Sequence, residues 1–249
     1  MRPLITFILL FIAITAPALA VGQMSAPMGP QAPLVRRIMI DPGHGGADRG
    51  VEGPSGWPEA QLTITLAQQL KTALETRLGV KVFLTREEGQ NPAILERTTK
   101  ANALKADLLI SLHARGSVSE AVRGFMVYYQ NYDDQVDPVE KAAGMDQPEE
   151  AGLKWHMNQT VCLSASKLLA QEIQRALEDV LHIKGEGPTG MPLALMAGAR
   201  QPAVLVEVGS LTNPEEERRL KTQGYKDALT RALILGIESW SRRQAEIEN

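Results

Sequence analysis

Two histidines close apolar runs: His44 ends "IMIDPGH" (Ile38–His44) and His113 ends "DLLISLH" (Asp107–His113). An apolar run that stops at Pro and Gly reads as a buried strand meeting a tight loop. If the two strands are neighbours, both imidazoles emerge at one sheet rim, where two histidines and a third ligand suit zinc. Gly43, Gly45 and Gly46 surround His44 and let the backbone turn sharply and a ligand or metal come close. Glu59, just after Pro58 in "SGWPEAQLTITL", is the candidate third ligand, at a helix start where a carboxylate is favoured by the helix dipole. A His2Glu set leaves zinc a fourth position for water, the arrangement of catalytic rather than structural sites. Glu207 interrupts the apolar "AVLVEVGS", where a charge is costly without a partner or metal. It is the candidate base, taking a proton from water and handing it to a leaving nitrogen.

Taken singly, each residue also has an ordinary reading. A strand-end histidine can be a satisfied polar group, Glu59 a helix cap, and Glu207 the partner of a buried arginine. A nucleotide loop is the weaker reading of the glycines. Gly43 and Gly45 are followed by Asp48 where a third glycine belongs, and no helix starts directly after. His182 reads as a dipole partner at a helix end, and His156 as a surface residue.

The elements that must position these groups follow from periodicity. Strands are expected at 36–41, 80–85, 107–113, 124–129, 192–196 and 203–208, several of them near-continuous apolar runs, as in sheets covered on both faces. Leu62, Leu66, Leu70, Leu74 and Leu78 recur every four residues along one helical stripe. A second helix opens at "NPAILERTTKANAL", with Asn91 as N-cap, Pro92 at its first position, and Ile94, Thr98 and Ala101 on one face. Amphipathic helices are also expected over 163–181 and 225–240. Alternating strands and helices imply a single α/β domain over 34–249. Its sheet is largely parallel and mixed, with about six strands flanked by helices. Such sheets carry their functional groups at the carboxyl ends of the strands.

With 249 residues, 44% of them hydrophobic, the chain can bury a proper core. Residues 1–20, "MRPLITFILLFIAITAPALA", have a basic start, an apolar stretch and the exit Ala18-Leu19-Ala20, the pattern of a cleaved signal peptide. The apolar stretch is short for a membrane span, so no anchor is expected after cleavage. Residues 21–33 read as a flexible leader. The protein is therefore expected to be secreted, into the periplasm or cell envelope. The single cysteine, Cys162, rules out an internal disulfide and reads as a small apolar residue on a helix. A net charge of -3 argues against nucleic acid as a partner. Residues 131–157 carry seven acids against two lysines and break the alternation, so they read as an insertion.

Six blocks in order carry a resemblance. "IMIDPGHGGADRG", "GWPEAQLTITLAQQL", "VFLTRE", "ERTTKANALKADLLISLHA", "RGFMVYY" and "PAVLVEVGSLTNPEEERRL" resemble the successive blocks of the zinc-dependent N-acetylmuramoyl-L-alanine amidases, over nearly the whole chain after Val35. The resemblance implies zinc on His44, Glu59 and His113, with Glu207 as the catalytic glutamate. It also implies peptidoglycan as substrate, cut between N-acetylmuramic acid and the first alanine of the stem peptide. Two other readings of the same residues are a zinc peptidase cutting within the stem peptide and a wall-binding module without catalysis. The chain departs from the family's pattern at Ala60, commonly lysine, at Ser210, commonly phenylalanine, and at Arg115, commonly asparagine. Arg115 and Arg49 flank the histidine motifs and are candidates to grip a stem-peptide carboxylate, with an ordinary salt bridge as the alternative. Some family members hold a glutamate over the zinc until an activator protein displaces it. Glu140, Glu149 and Glu150 are the candidates for that role here, against a solvated loop. An activator or targeting protein is the expected partner besides peptidoglycan.

Overall fold

Near-continuous apolar strands need cover on both faces, and this sheet receives it. In the computed structural model, residues 35–131 and 149–248 are described, with the backbone alone over 149–161. The strands are β1 (Arg37–Pro42), β2 (Lys81–Leu84), β3 (Leu108–Arg115), β4 (Met126–Gln130), β5 (Thr189–Met191) and β6 (Ala203–Ser210). They form one sheet in the order β2-β1-β3-β6-β4-β5. The first four in that order run parallel, whereas β4 is antiparallel to β6 and parallel to β5. The reversal at β4 has a simple cause. Only Gly116–Phe125 join β3 to β4, and a parallel crossover needs a dozen residues or more.

The helices are α1 (Glu59–Leu78), α2 (Ile94–Ala103), α3 (Glu149–Leu181), α4 (Pro214–Lys221) and α5 (Gln223–Glu248). The leucine stripe of α1 packs as its spacing predicts. Leu62, Leu66, Leu70 and Leu74 are fully buried in the larger core with Ile38, Ile40 and Ile110 of the sheet, Ile173 of α3 and Leu233 of α5. Each such side chain contributes roughly 1.5–3 kcal/mol relative to an exposed one. The other face, presented by Met39, Leu109 and Ala203, is covered by Ala101 of α2 and by Met196 and Ala199. The expected α/β class and the largely parallel mixed sheet are therefore observed.

Several boundaries differ from the sequence reading. Residues 192–196 are not a strand. The fifth strand is the shorter Thr189–Met191, and the apolar "PLALM" folds into a turn closed by Met196 N–H to the Leu193 carbonyl at 2.9 Å. Leu195 and Met196 of this stretch are buried, Met196 by capping a sheet face, whereas Pro192 and Ala194 are exposed. Thr98 of α2 donates its hydroxyl to the Leu195 carbonyl, and Asn102 donates to Gly198 at 2.8 Å, which fixes that turn. Asn91 does not cap α2. Ala93 occupies that position, its N–H bound by the Glu96 carboxylate at 2.8 Å, and Asn91 accepts from Arg97 instead. Ile94 is exposed, and Arg97 joins Thr98 and Ala101 on the buried side. α3 starts at Glu149, so 149–157 of the expected insertion are helical. The stretch has no proline and one glycine, Gly152, so little in it opposes extension. The signal peptide, the leader and residues 132–148 lie outside the described residues.

Candidate metal centre

β1 connects to β2 on one side and has β3 on the other, so the carboxyl ends of β1 and β3 flank a topological switch point. His44 follows β1 and His113 lies near the end of β3. The glycines beside them are explained by space. A Cβ on Gly43 would lie 2.4 Å from the His113 ring, and one on Gly50 would lie 2.6 Å from the His44 ring and 2.7 Å from the Glu59 carboxylate. His44 itself adopts φ 59, a left-handed conformation uncommon for a side-chain-bearing residue and a mark of a constrained site.

Glu59, on the first turn of α1 and only 1% exposed, sits between the two imidazoles. Its Oε2 is 3.0 Å from His44 Nε2, and its Oε1 is 2.9 Å from His113 Nδ1. Backbone N–H groups of Val51 and Ala114 donate to the same two oxygens at 3.0 and 2.9 Å. Burial alone would raise the Glu59 carboxyl, but the hydrogen bonds from His113 and His44 outweigh it and hold it well below the usual carboxylate range. The bond to Glu59 in turn pushes His44 up to about 9, against the lowering effect of burial.

The donor set is two imidazole nitrogens and a carboxylate oxygen, with one such atom per residue all within 4.8 Å of one another. No other trio of metal-ligating side chains stands together among the described residues. His44 also presents Nδ1 to both oxygens of Asp48 at 3.0 Å. A carboxylate on the second ring nitrogen is the usual device that fixes the tautomer and aim of a metal-binding histidine. The residues present therefore fit a zinc-type ion.

Behind this trio lies a buried network. Asp41 accepts from Ser111 at 2.8 Å, from Arg97 at 3.0 Å, and from Thr85. Arg97 donates onward to the carbonyls of Pro42 and His44 at 2.9 and 3.0 Å. Arg86 donates to the carbonyls of Pro42, Gly43 and Ala60 at 2.9, 3.0 and 3.0 Å. Thr63 of α1 donates to the Gly43 carbonyl at 2.9 Å. The His44 loop is thus held by its backbone oxygens. The sequence reading missed Arg86, Arg97, Asp41 and Asp48; Asp41 and Arg86 stand at the ends of apolar runs, whereas Asp48 in a glycine loop and Arg97 on a helix carry no such signal.

Glu207 on β6 is the register partner of His113 on β3. Its carboxylate is 22% exposed and accepts from the Tyr128 hydroxyl of β4 at 3.2 Å. Arg115 lies next to it, with Nε 3.6 Å from Oε2. Burial pushes the Glu207 carboxyl up, and Tyr128 and Arg115 draw it only part of the way back. Burial also pushes Tyr128 up to about 12, so its hydroxyl stays a donor. Tyr128 was not anticipated, because on an apolar strand it reads as packing.

The remaining expected residues are placed as follows. Arg49 is engaged by Glu52 and by the Gly56 carbonyl at 3.2 Å. Glu140 lies outside the described residues, and Glu149, Glu150 and His156 are described by their backbone in α3 alone. His182 follows the last residue of α3 with φ 55, its N–H on the Glu178 carbonyl at 2.9 Å. Cys162 on α3 is half-buried, its thiol 3.5 Å from the Arg200 carbonyl.

Comparison with known proteins points one way. The family model described as N-acetylmuramoyl-L-alanine amidase matches residues 38–239. The amidase AmiC of Neisseria meningitidis is 30% identical over 220 residues, covering 82% of this chain and 52% of the relative. AmiC of Escherichia coli is 26% identical over 237 residues, covering 88% of this chain and 55% of the relative. The chain thus spans about half the length of these curated relatives. Among solved structures, the catalytic domain of CwlV, an N-acetylmuramoyl-L-alanine amidase from Bacillus (Paenibacillus) polymyxa, is similar with TM-score 0.66 and 25% identity, over 82% of this chain and 97% of that one.

Proposed function

The chain belongs to the N-acetylmuramoyl-L-alanine amidase family. From that premise we propose that it is a zinc-dependent hydrolase cleaving the amide between N-acetylmuramic acid and L-alanine in peptidoglycan. The observation that carries the reading is the His44–Glu59–His113 trio with Glu207 in register beside it. Zinc on the trio would lower the pKa of bound water toward ~7 and polarise the scissile carbonyl.

The chain's own residues supply the rest. Glu207 accepts the proton of the attacking water as the new C–O bond forms. It returns that proton to the alanine nitrogen as the C–N bond breaks. A carboxyl raised by burial suits both directions of transfer, since it holds a proton more readily than an exposed glutamate. Tyr128 donates to one Glu207 oxygen and fixes the orientation of the carboxylate. Asp48 aims His44, and Arg86 and Arg97 hold the loop that carries it. The reading extends to secretion into the periplasm or cell envelope, supported by the signal-peptide pattern of residues 1–20.

Digestion of purified peptidoglycan followed by mass spectrometry tests this. The expected products are free stem peptides with an N-terminal alanine, and intact glycan strands. Cuts inside the stem peptide would replace the reading with a peptidase, and binding without products would replace it with a wall-binding module.

A further inference from the structure

Resting on the amidase reading, we propose that Arg115 is a specificity residue. It takes a free carboxylate of the stem peptide on the leaving-group side of the scissile amide. The enzyme then favours peptides in which the carboxylate of the residue after the alanine is ionised rather than amidated.

Two departures from the family's sequence pattern, Arg115 and Ser210, are register partners on β3 and β6. The register shifts between His113 and Arg115, an irregularity of the kind that re-aims a side chain. Ser210 presents a small hydroxyl where the pattern has phenylalanine, so no aromatic ring stands at the arginine's strand-neighbour position. The Arg115 side chain is 24% exposed, beside Glu207. Its Nε to Glu207 distance of 3.6 Å is an ion pair but too long for a hydrogen bond. The other arginines around the site differ. Arg86 and Arg97 spend their donors on loop carbonyls, and Arg49 on Glu52 and Gly56. Among the described residues, Arg115 alone of these four makes no hydrogen bond through its side chain, which leaves its planar fork available to a carboxylate.

The position fits the reaction. Glu207 hands its proton to the alanine nitrogen, so that nitrogen and Arg115 both lie beside the Glu207 carboxylate. At roughly 3.5 Å per residue of extended chain, the next residue's α-carboxylate comes about 7 Å further along, within reach of a long arginine side chain. Glu207 would repel a second carboxylate brought this close, and the Arg115 cation offsets that repulsion.

The test uses two disaccharide–peptide fragments of peptidoglycan, identical except that the α-carboxylate of the residue after the alanine is free in one and amidated in the other. The zinc-loaded parent enzyme should prefer the acid on the order of ten- to hundred-fold in kcat/KM, chiefly through KM. Arg115→Gln should bring the ratio to near one, and Arg115→Lys should restore part of it. Equal losses on both fragments in Arg115→Gln, with the ratio kept, would overturn the proposal and leave Arg115 as a partner of Glu207 alone. A parent that cleaves both fragments equally overturns it without any variant. Calorimetry gives a readout apart from turnover: the released acidic peptide should bind the parent more tightly than its amide, and equal binding counts against the proposal. A parent that cleaves neither fragment sinks the amidase reading itself, a result distinct from the other outcomes.

Discussion

The site has two neighbouring sides, or walls, built on different principles. On the wall of His44, Glu59 and His113, side chains and loop carbonyls are tied down: both Glu59 oxygens accept backbone N–H groups, His44 is held by Asp48, and two buried arginines clamp the loop. On the neighbouring wall, Glu207 has one hydroxyl at 3.2 Å and one guanidinium at 3.6 Å, and it remains partly open to solvent. The difference follows from the two tasks. A metal-binding wall works best with its donors fixed in advance, whereas a group that gains and loses a proton must tolerate both charge states.

Breaking the first wall at its ligands should have the largest effect. His113→Ala is expected to lower bound zinc from about one per chain toward zero and to abolish activity, as read by metal analysis alongside peptidoglycan digestion. Full activity in that variant would end the metal hypothesis. Breaking the second wall should leave the metal in place. Glu207→Gln is expected to keep zinc and fold while lowering turnover roughly 10²–10⁴-fold. Loss of zinc there would make Glu207 a ligand.

The support behind the first wall comes next. Arg97→Met leaves Asp41 as a buried carboxylate without its cation, a change expected to cost about 3–5 kcal/mol in a denaturant titration of the metal-free protein. It should also weaken zinc binding, because the His44 carbonyl loses its clamp. An unchanged midpoint would mean that the network is not what holds the loop.

The smallest effect concerns protons. In the metal-free protein His44 stands at about 9, above its ordinary 6.5. The His44–Glu59 contact therefore contributes its full stability below about pH 6.5 and loses it as pH rises through about 9. A metal ligand must be neutral, so zinc binding at pH 7 should release about one proton from His44, and apparent affinity should rise with pH up to about 9. Calorimetry in buffers of different ionisation enthalpy reads that proton directly; no release would show that His44 is already neutral.

The legible part of the molecule was the part with local signals. His44, His113 and Glu207 each interrupt or end an apolar pattern, Glu59 follows a proline at a helix start, and the leucine stripe of α1 repeats every turn. The part that escaped depends on long-range partners. Arg97 reads as a solvated helix charge until Asp41, 56 residues earlier, meets it. "PLALM" has the composition of a strand, yet Thr98 holds its Leu195 carbonyl and Asn102 the nearby Gly198 carbonyl in a turn, a pairing that no local periodicity reveals. Asn91 carries a good capping side chain, but Arg97 draws it away from the helix end. α3 ran past its expected start because acidic composition alone marked the insertion, and composition does not locate a helix boundary.

One wall binds metal and its neighbour moves protons. Crystals of the protein grown with zinc, measured at the zinc absorption edge, test it most directly. One anomalous peak is expected about 2.0–2.2 Å from donor atoms of His44, Glu59 and His113, with the Glu207 carboxylate beyond bonding distance. A peak bonded to Glu207, or none at the trio, would contradict it.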